Sequence, residues 1–475
     1  MAAAPHLLAA RAAQVAATAQ SGSGGSPLGP LMGGGGRNPI IMLVLVLLLV
    51  VCGGGSMLLG GGGNDSGDSS NVAEQPLPPA VQEARPTALP KPTSAPRPVV
   101  TRPSTGAATG DTWTVMLYQD ADDKILEQDI FVDLNEAERT GSTDKVQIVA
   151  QVDRFRGGFS GDGNWSGTGR FLVTQDDDLD RLGSQVVEDL GEVNMADGQT
   201  LVDFVKWAME NYPADKYALI LSDHGMGWPG GWSDPDPGGS GDRSIPLAAA
   251  LGNQLYLNEL DDALAQIRQE TGLDKFELIG MDACLMGHVE VLSALAPHAN
   301  YAVLSQETEP ALGWAYTSFL GALNDNPAMN GDGLATAIVD SYIEGDQRIV
   351  DPQARAAFLG QGYGRMSASQ LTEQLGERVT LTGIDLGATP ELFNSLNDLA
   401  YSLQSTKQQA VASARNYAQS FTSIFGKEVP ASYIDLGNFV QLVQRQTNSR
   451  DVVVARDVAG QDRHRAELGR QLRGG

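Results

Sequence analysis

Cysteine is nearly absent from this chain: two occur in 475 residues, Cys52 inside an apolar run and Cys284 deep in the later sequence. That count excludes a disulfide-stapled scaffold, and the unlike settings of the two thiols give no reason to expect them to pair. Acid is missing altogether from Met1 to Asn64, where Arg11 and Arg37 are the only formal charges. All 58 Asp and Glu residues come later, against 30 of the 32 basic ones, so residues 65–475 carry a formal charge of about −28. A body so poor in Lys and Arg offers no phosphate-binding surface, which excludes a nucleic-acid partner. The acid excess fits solubility by self-repulsion, affinity for cations and attraction for basic peptides. Histidine is scarce as well, with His6, His224, His288, His298 and His464 the full set.

Long hydrophobic runs are lacking with one exception. Residues 40–51 read IIMLVLVLLLVV, and with Cys52, Met57, Leu58 and Leu59 the uncharged stretch reaches the roughly 20 residues that a membrane-spanning helix needs. Arg11 and Arg37 precede it while Asp65 and Asp68 follow, so the positive-inside bias sets the N-terminus in the cytoplasm and the large body outside the cell. The expectation is an uncleaved single-pass anchor over 38–60 at the cell membrane, behind a low-complexity cytoplasmic segment over 1–37. The rivals are a cleaved leader, for which the segment ahead of the run is long, and a lipidated Cys52, for which Val51 is a poor preceding residue. Residues 61–111 hold nine prolines between Pro76 and Pro103, mixed with Ala, Thr and Ser and without hydrophobic period, which predicts a semi-extended linker.

From Trp113 onward short apolar runs alternate with amphipathic stretches. Strands are predicted at WTVMLY (113–118), KVQIVAQV (145–152), KYALILS (216–222), KFELIGM (275–281) and YAVLSQE (301–307), with a hairpin around Trp165 and GRFLVT. Helices fall between them, over 124–139, 201–212, 257–270 with Gly272 near the end, and about 284–296. Strand, helix and strand repeated in this way predict an α/β domain over 112–320, a mainly parallel sheet covered by helices. Residues 321–475 read as mostly helical, with one strand-like stretch, TLTGIDL (380–386), and form the expected C-terminal subdomain.

Reactive groups in parallel α/β sheets collect beyond the carboxyl ends of the strands. His224 follows one predicted strand in SDHGMGW, and Cys284 follows another in MDACLMG, at the expected start of a helix. A thiol is mostly protonated at neutral pH; an imidazole neighbour and a helix N-terminus both favour the thiolate, which would attack a carbonyl. The backbone N–H groups of Gly225 and Cys284 are candidate donors to the oxyanion, because glycine lets the backbone approach closely. His288, one helical turn after Cys284, reads as a packing histidine, and His298, His464 and His6 have no supporting motif. Spacing alone leaves two readings open, a Cys-His nucleophile pair and a surface binding module without catalysis.

WTVMLYQDADDKILE, SDHGMGW, MDACLMGHVEV and SQETEPALGW, in that order and followed by YIDLGNFV, resemble the clostripain family of cysteine peptidases, relatives of caspases and gingipains, over roughly residues 112–447. The resemblance implies a caspase-like fold with a Cys-His dyad, His224 as general base and Cys284 as nucleophile. It also implies that Asp282 lines the pocket for the side chain before the scissile bond, and so cleavage after Arg or Lys, since a guanidinium binds a carboxylate bidentately. The alternative role for Asp282 is to cap the helix after it. Relatives are commonly activated by self-cleavage between the two motifs, which makes Arg243, the one basic residue in the Gly-, Pro- and Asp-rich loop 229–254, the expected processing site. Some relatives depend on Ca2+, and the acidic segments 120–123, 176–178 and 234–236 offer oxygen ligands without the spacing of an EF-hand.

Overall fold

The computed structural model describes residues 111–235, 253–359, 366–377, 379–422 and 432–447, so the expected anchor over 38–60, the linker before Asp111 and Arg243 lie outside the described residues. The chain divides into two compact units. Most of the described chain belongs to the unit built on the sheet, which runs as far as Leu386.

Its elements follow in chain order: β1 (Trp113–Ala121), α1 (Glu127–Thr140), β2 (Val146–Arg154), β3 (Gly167–Leu172), β4 (Gln185–Gly191), α2 (Gly198–Asn211), β5 (Lys216–Ser222), β6 (Gly230–Ser233) and β7 (Gln254–Tyr256). Next come α3 (Leu257–Thr271), β8 (Phe276–Asp282), α4 (Val289–Leu295), β9 (Ala299–Ser305), α5 (Tyr316–Asp325), α6 (Gly331–Ser341), α7 (Gln347–Val350), α8 (Pro352–Leu359), α9 (Ala368–Gly376) and β10 (Leu381–Asp385). Eight strands form one sheet in the order β10-β9-β8-β5-β1-β2-β3-β4, and β6 and β7 pair as a separate hairpin. The five strands from β9 to β2 are parallel, and antiparallel strands finish both edges. Every residue of β1 and of β5 is buried, which explains their near-continuous apolar sequence: a central parallel strand is covered on both faces.

Chain direction sets where the helices go. From β1 the chain steps through α1 to β2 on one side; later it steps from β5 to β8 to β9 on the other. Right-handed crossovers running in opposite directions deliver their helices to opposite faces. Accordingly α1 packs with α5, and α5 with α6, while α2 packs with α3, and α3 with α4. The reversal of strand order falls between β1 and β5, and in open α/β sheets the carboxyl ends at such a reversal are where binding crevices form.

Local signals hold the helices in register. Asp197 caps α2 through Gln199 N–H at 2.9 Å, and α3 ends at Gly272 in the left-handed conformation that glycine adopts without penalty. The strand-like stretch near residue 380 becomes β10, which joins β9 antiparallel as the edge of the main sheet.

The second unit contributes α10 (Thr389–Ser405), α11 (Gln408–Tyr417) and α12 (Leu436–Thr447). Leu399, Ala414, Phe439, Val440 and Val443 form its core.

Candidate active site

Ser222, the last residue of β5, pairs with Asp282, the last residue of β8. His224 and Cys284 each follow two positions later, so both leave the sheet at the same height on neighbouring strands. The turn after β5 is closed by Trp232 N–H donating to His224 O at 3.0 Å and Met226 N–H donating to Gly230 O at 2.9 Å. Neither bond uses the N–H of Gly225. A Cβ on Gly225 would run into the Cys284 carbonyl oxygen and the Ala283 methyl, so glycine is required here by the contact between the two strand-end turns.

The helix expected to begin at Cys284 begins at Val289, with His288 as its N-cap. Residues 283–288 instead form a turn in which Leu285 takes a left-handed φ of 65° and Gly287 N–H donates to Ser305 O at 2.6 Å. A leucine at such an angle costs roughly 1 kcal/mol or more and marks a turn held by its surroundings. The thiol therefore gains nothing from a helix dipole. Its donor is the backbone N–H of Glu309, 3.3 Å from Sγ, in a site where Cys284 is 2% exposed. A hydrogen bond to sulfur favours the thiolate over the thiol. Cys52 lies outside the described residues.

His288 sits at the head of α4 rather than one turn along a helix shared with Cys284, and burial pushes its pKa down to about 4, which holds it neutral. His298 is bonded through Nε2 to Asp261 at 2.7 Å and ties the start of β9 to α3. His224 Nε2 lies 3.5 Å from Asp123 Oδ2, beyond the end of β1.

Asp282 does not cap a helix. Its Oδ2 accepts from the Trp314 N–H and the Tyr316 hydroxyl, each at 3.0 Å, and Tyr316 in turn meets Ser222 Oγ at 3.0 Å. Beside it Glu309 takes hydrogen bonds on Oε2 from Trp314 Nε1 at 3.1 Å and Tyr342 OH at 3.3 Å. Burial pushes Asp282 up to about 6 even against these donors, and burial followed by the charge of Asp282 pushes Glu309 further. Burial and mutual repulsion thus disfavour two negative charges on the pair. Sequence reasoning missed Glu309: SQETEP marks the segment but not which carboxylate turns inward.

The loop that carries Trp314 is braced from behind. Buried Arg348 pairs with Asp133 at 2.7 Å, Asp346 at 3.1 Å and Asp129 at 3.3 Å, and also donates to the Leu312 carbonyl. At Gly313 (φ 60°) a side chain would strike the Asp133 carboxylate.

Among the described residues no group of three or more His, Cys, Asp or Glu is arranged to hold a metal ion. Asp120 and Asp153 are fully buried at the ends of β1 and β2, and burial together with neighbouring acids raises both, so each favours its neutral acid form. Asp176–Asp178 form a turn in which Asp178 N–H donates to Asp176 Oδ1 at 2.5 Å. No step of the chemistry is routed through a metal.

Comparison with known proteins identifies related chains. The family model described as "Clostripain family" matches residues 117–464. Clostripain from Hathewaya histolytica is 30% identical over 209 residues, which cover 39% of this chain and 36% of that one, so the match spans about a third of that relative. Among solved structures, a secreted C11 cysteine protease from Bacteroides thetaiotaomicron, in complex with an irreversible peptide inhibitor, is similar with a TM-score of 0.47. It is 20% identical and covers 72% of this chain and 80% of its own. An inactive zymogen C11 protease from Parabacteroides distasonis has a TM-score of 0.49 and 17% identity, with 75% and 82% covered.

Proposed function

This chain belongs to the clostripain family, and from that premise we propose that it is a cysteine endopeptidase that cuts peptide bonds after Arg or Lys, with Cys284 as nucleophile and His224 as general base. The observation that carries the reading is the β5–β8 register, which sets residues 224 and 284 at one height with Gly225 against the Cys284 carbonyl. The Cys284 thiolate attacks the carbonyl carbon, the C–N bond breaks as the imidazolium protonates the leaving amine, and water hydrolyses the thioester. Gly225 N–H, outside the local ladder, and Cys284 N–H are the proposed oxyanion donors. Preference for a basic side chain is supported by the Asp282–Glu309 pair, two neighbouring buried carboxyls whose negative charge burial disfavours and a guanidinium would stabilise. A positional peptide library on the reduced full chain tests this: Arg and Lys should dominate the position before the cut, and cleavage indifferent to that position would refute the assignment of Asp282.

Arg243 is the proposed self-processing site. Both flanks of its loop are fastened, since Asn253 Nδ2 donates to the Asp234 carbonyl at 2.8 Å, so a cut between them would leave β6 and β7 paired. Intact mass should show two fragments in the wild type and one chain in Cys284→Ala; an active enzyme that stays whole would remove the proposal. The body is further proposed to be held at the outer face of the cell membrane by residues 38–60 and the linker over 61–111. Among the described residues no helix is long and apolar enough to cross a membrane. Deleting residues 40–59 should release the protein from the membrane fraction, and release of the intact chain by salt alone would contradict an anchor.

A further inference from the structure

Three neighbouring strand tips carry polar side chains in sequence across the sheet: Cys284 beyond β8, His224 beyond β5 and Asp123 beyond β1. The middle tip belongs to the imidazole. Adjacent strands lie about 4.8 Å apart, so a ring on β5 can face one neighbour with each nitrogen. Nε2 faces Asp123, with Oδ2 at 3.5 Å; this is ion-pair range and the long side of a hydrogen bond, as is common before substrate closes a site.

The Asp123 carboxylate is built to stay there. Its Oδ1 accepts the backbone N–H groups of Ile125 at 2.7 Å and Leu126 at 2.8 Å, and its carbonyl accepts Glu127 N–H at 3.0 Å at the start of α1. With one oxygen and the main chain fixed, the other oxygen is aimed from the β1 tip at the β5 tip. We propose that Asp123 is a positioning residue for the reaction: it orients the His224 ring through Nε2 and stabilises the imidazolium, leaving Nδ1 to the Cys284 side. The inference rests on the reading of His224 as general base.

Charge supports the geometry. Burial alone would raise Asp123, yet the hydrogen bond and charge of His224 and the Leu126 and Ile125 amides outweigh it and lower its pKa, so the group is an anion. Asp223, the neighbour of His224 in the chain, also interacts with it; it is buried, bonded to Ser233 N–H at 2.6 Å and pushed up to about 7 by burial, and so carries less charge at neutral pH. Cys284 stands at the third tip. The proton that Nδ1 receives from the thiol is later delivered to the leaving amine, and Asp123 does not itself change protonation state in the cycle. The sequence DADD suggests only metal ligation for this residue.

Asp123→Asn is the discriminating variant, because the amide oxygen can still accept the Ile125 and Leu126 amides while the charge is lost. With reduced full-length enzyme and a peptide ending in Arg before the cut, kcat should fall by about 10- to 1000-fold with KM within about twofold. The limb of the pH profile that titrates with His224 should move to lower pH. In a Cys284→Ala background, NMR titration of the His224 ring should show its pKa lowered by about one unit on Asp123→Asn, a readout that does not need activity. An unchanged kcat, profile and His224 titration, with His224→Ala inactive, would overturn the role of Asp123. If His224→Ala retains activity, the base assignment itself has failed, and the two failures are told apart.

Discussion

At the scale of single residues the site depends on side chains whose partners fix both place and charge. Asp282 illustrates this: the same Oδ2 that receives Trp314 N–H and Tyr316 OH keeps the carboxylate facing Glu309, while burial sets its pKa near 6. Asp282→Asn keeps the shape but removes the charge. A charge-assisted pair is worth roughly 1.5–3 kcal/mol, so kcat/KM for an Arg-containing peptide should fall about 10- to 150-fold, with little change for a neutral analogue. Parallel kinetics on the two peptides check this, and an equal fall on both would make Asp282 structural. His224 and Cys284 are legible as residues because strand, turn and Gly or Ala surround each. Asp123 and Glu309 are not: a carboxylate's value depends on what lies opposite, and the pairs Asp123–His224 and Glu309–Asp282 form across strands and loops.

At the scale of elements the sequence is most readable where one strand is buried on both faces. β1, β5 and β8 begin and end within a few residues of their apolar runs. The helix after Cys284 starts later than its sequence predicts, because ACLMGHVEVL has helical composition from its start, yet the turn at Leu285 and the bond from Gly287 N–H to Ser305 postpone it to Val289. The consequence is chemical, since the thiol loses a helix dipole and depends on Glu309 N–H. β10 is legible as a strand but reads as part of a separate subdomain, and only its pairing with β9 shows where it belongs. α1, α7 and the Trp314 loop are joined by Arg348, whose buried partners Asp133 and Asp346 would be left uncompensated in Arg348→Ala, with Asp129 part-exposed beside them. Breaking such a network costs about 3–5 kcal/mol, or on the order of 10 °C in unfolding midpoint. Thermal unfolding with and without the substitution measures it, and an unchanged midpoint would mean that the acids do not depend on Arg348.

At the scale of the whole molecule the formal charge of −26 favours encounter with basic peptides and weighs on the folded state. Burial raises Glu138 and Asp223 to about 7 and Asp129 and Asp282 to about 6. A carboxyl whose folded pKa is raised contributes stability that is fully present below its unfolded value, near 4, and is lost as pH rises through 6 to 7. Asp123, lowered, and His288, pushed down to about 4 by burial, work the other way but are two groups against four. The unfolding midpoint of the reduced protein should therefore be several degrees higher at pH 5 than at pH 8, and scans at the two values would contradict the burial of these acids if the order were reversed. The α/β architecture is legible from the rhythm of runs and helices, whereas the reversal between β1 and β5 follows from the order of strands, which no local pattern encodes. At the neighbouring tips of β5 and β8 the account places one base and one nucleophile. Its most direct test is trapping with an electrophilic peptide that carries Arg at the reactive position, followed by peptide mapping of the reduced full chain. The account predicts a single adduct on Cys284, formed at least 100-fold more slowly in His224→Ala. Adduct formation on another residue, or an undiminished rate in His224→Ala, would contradict it.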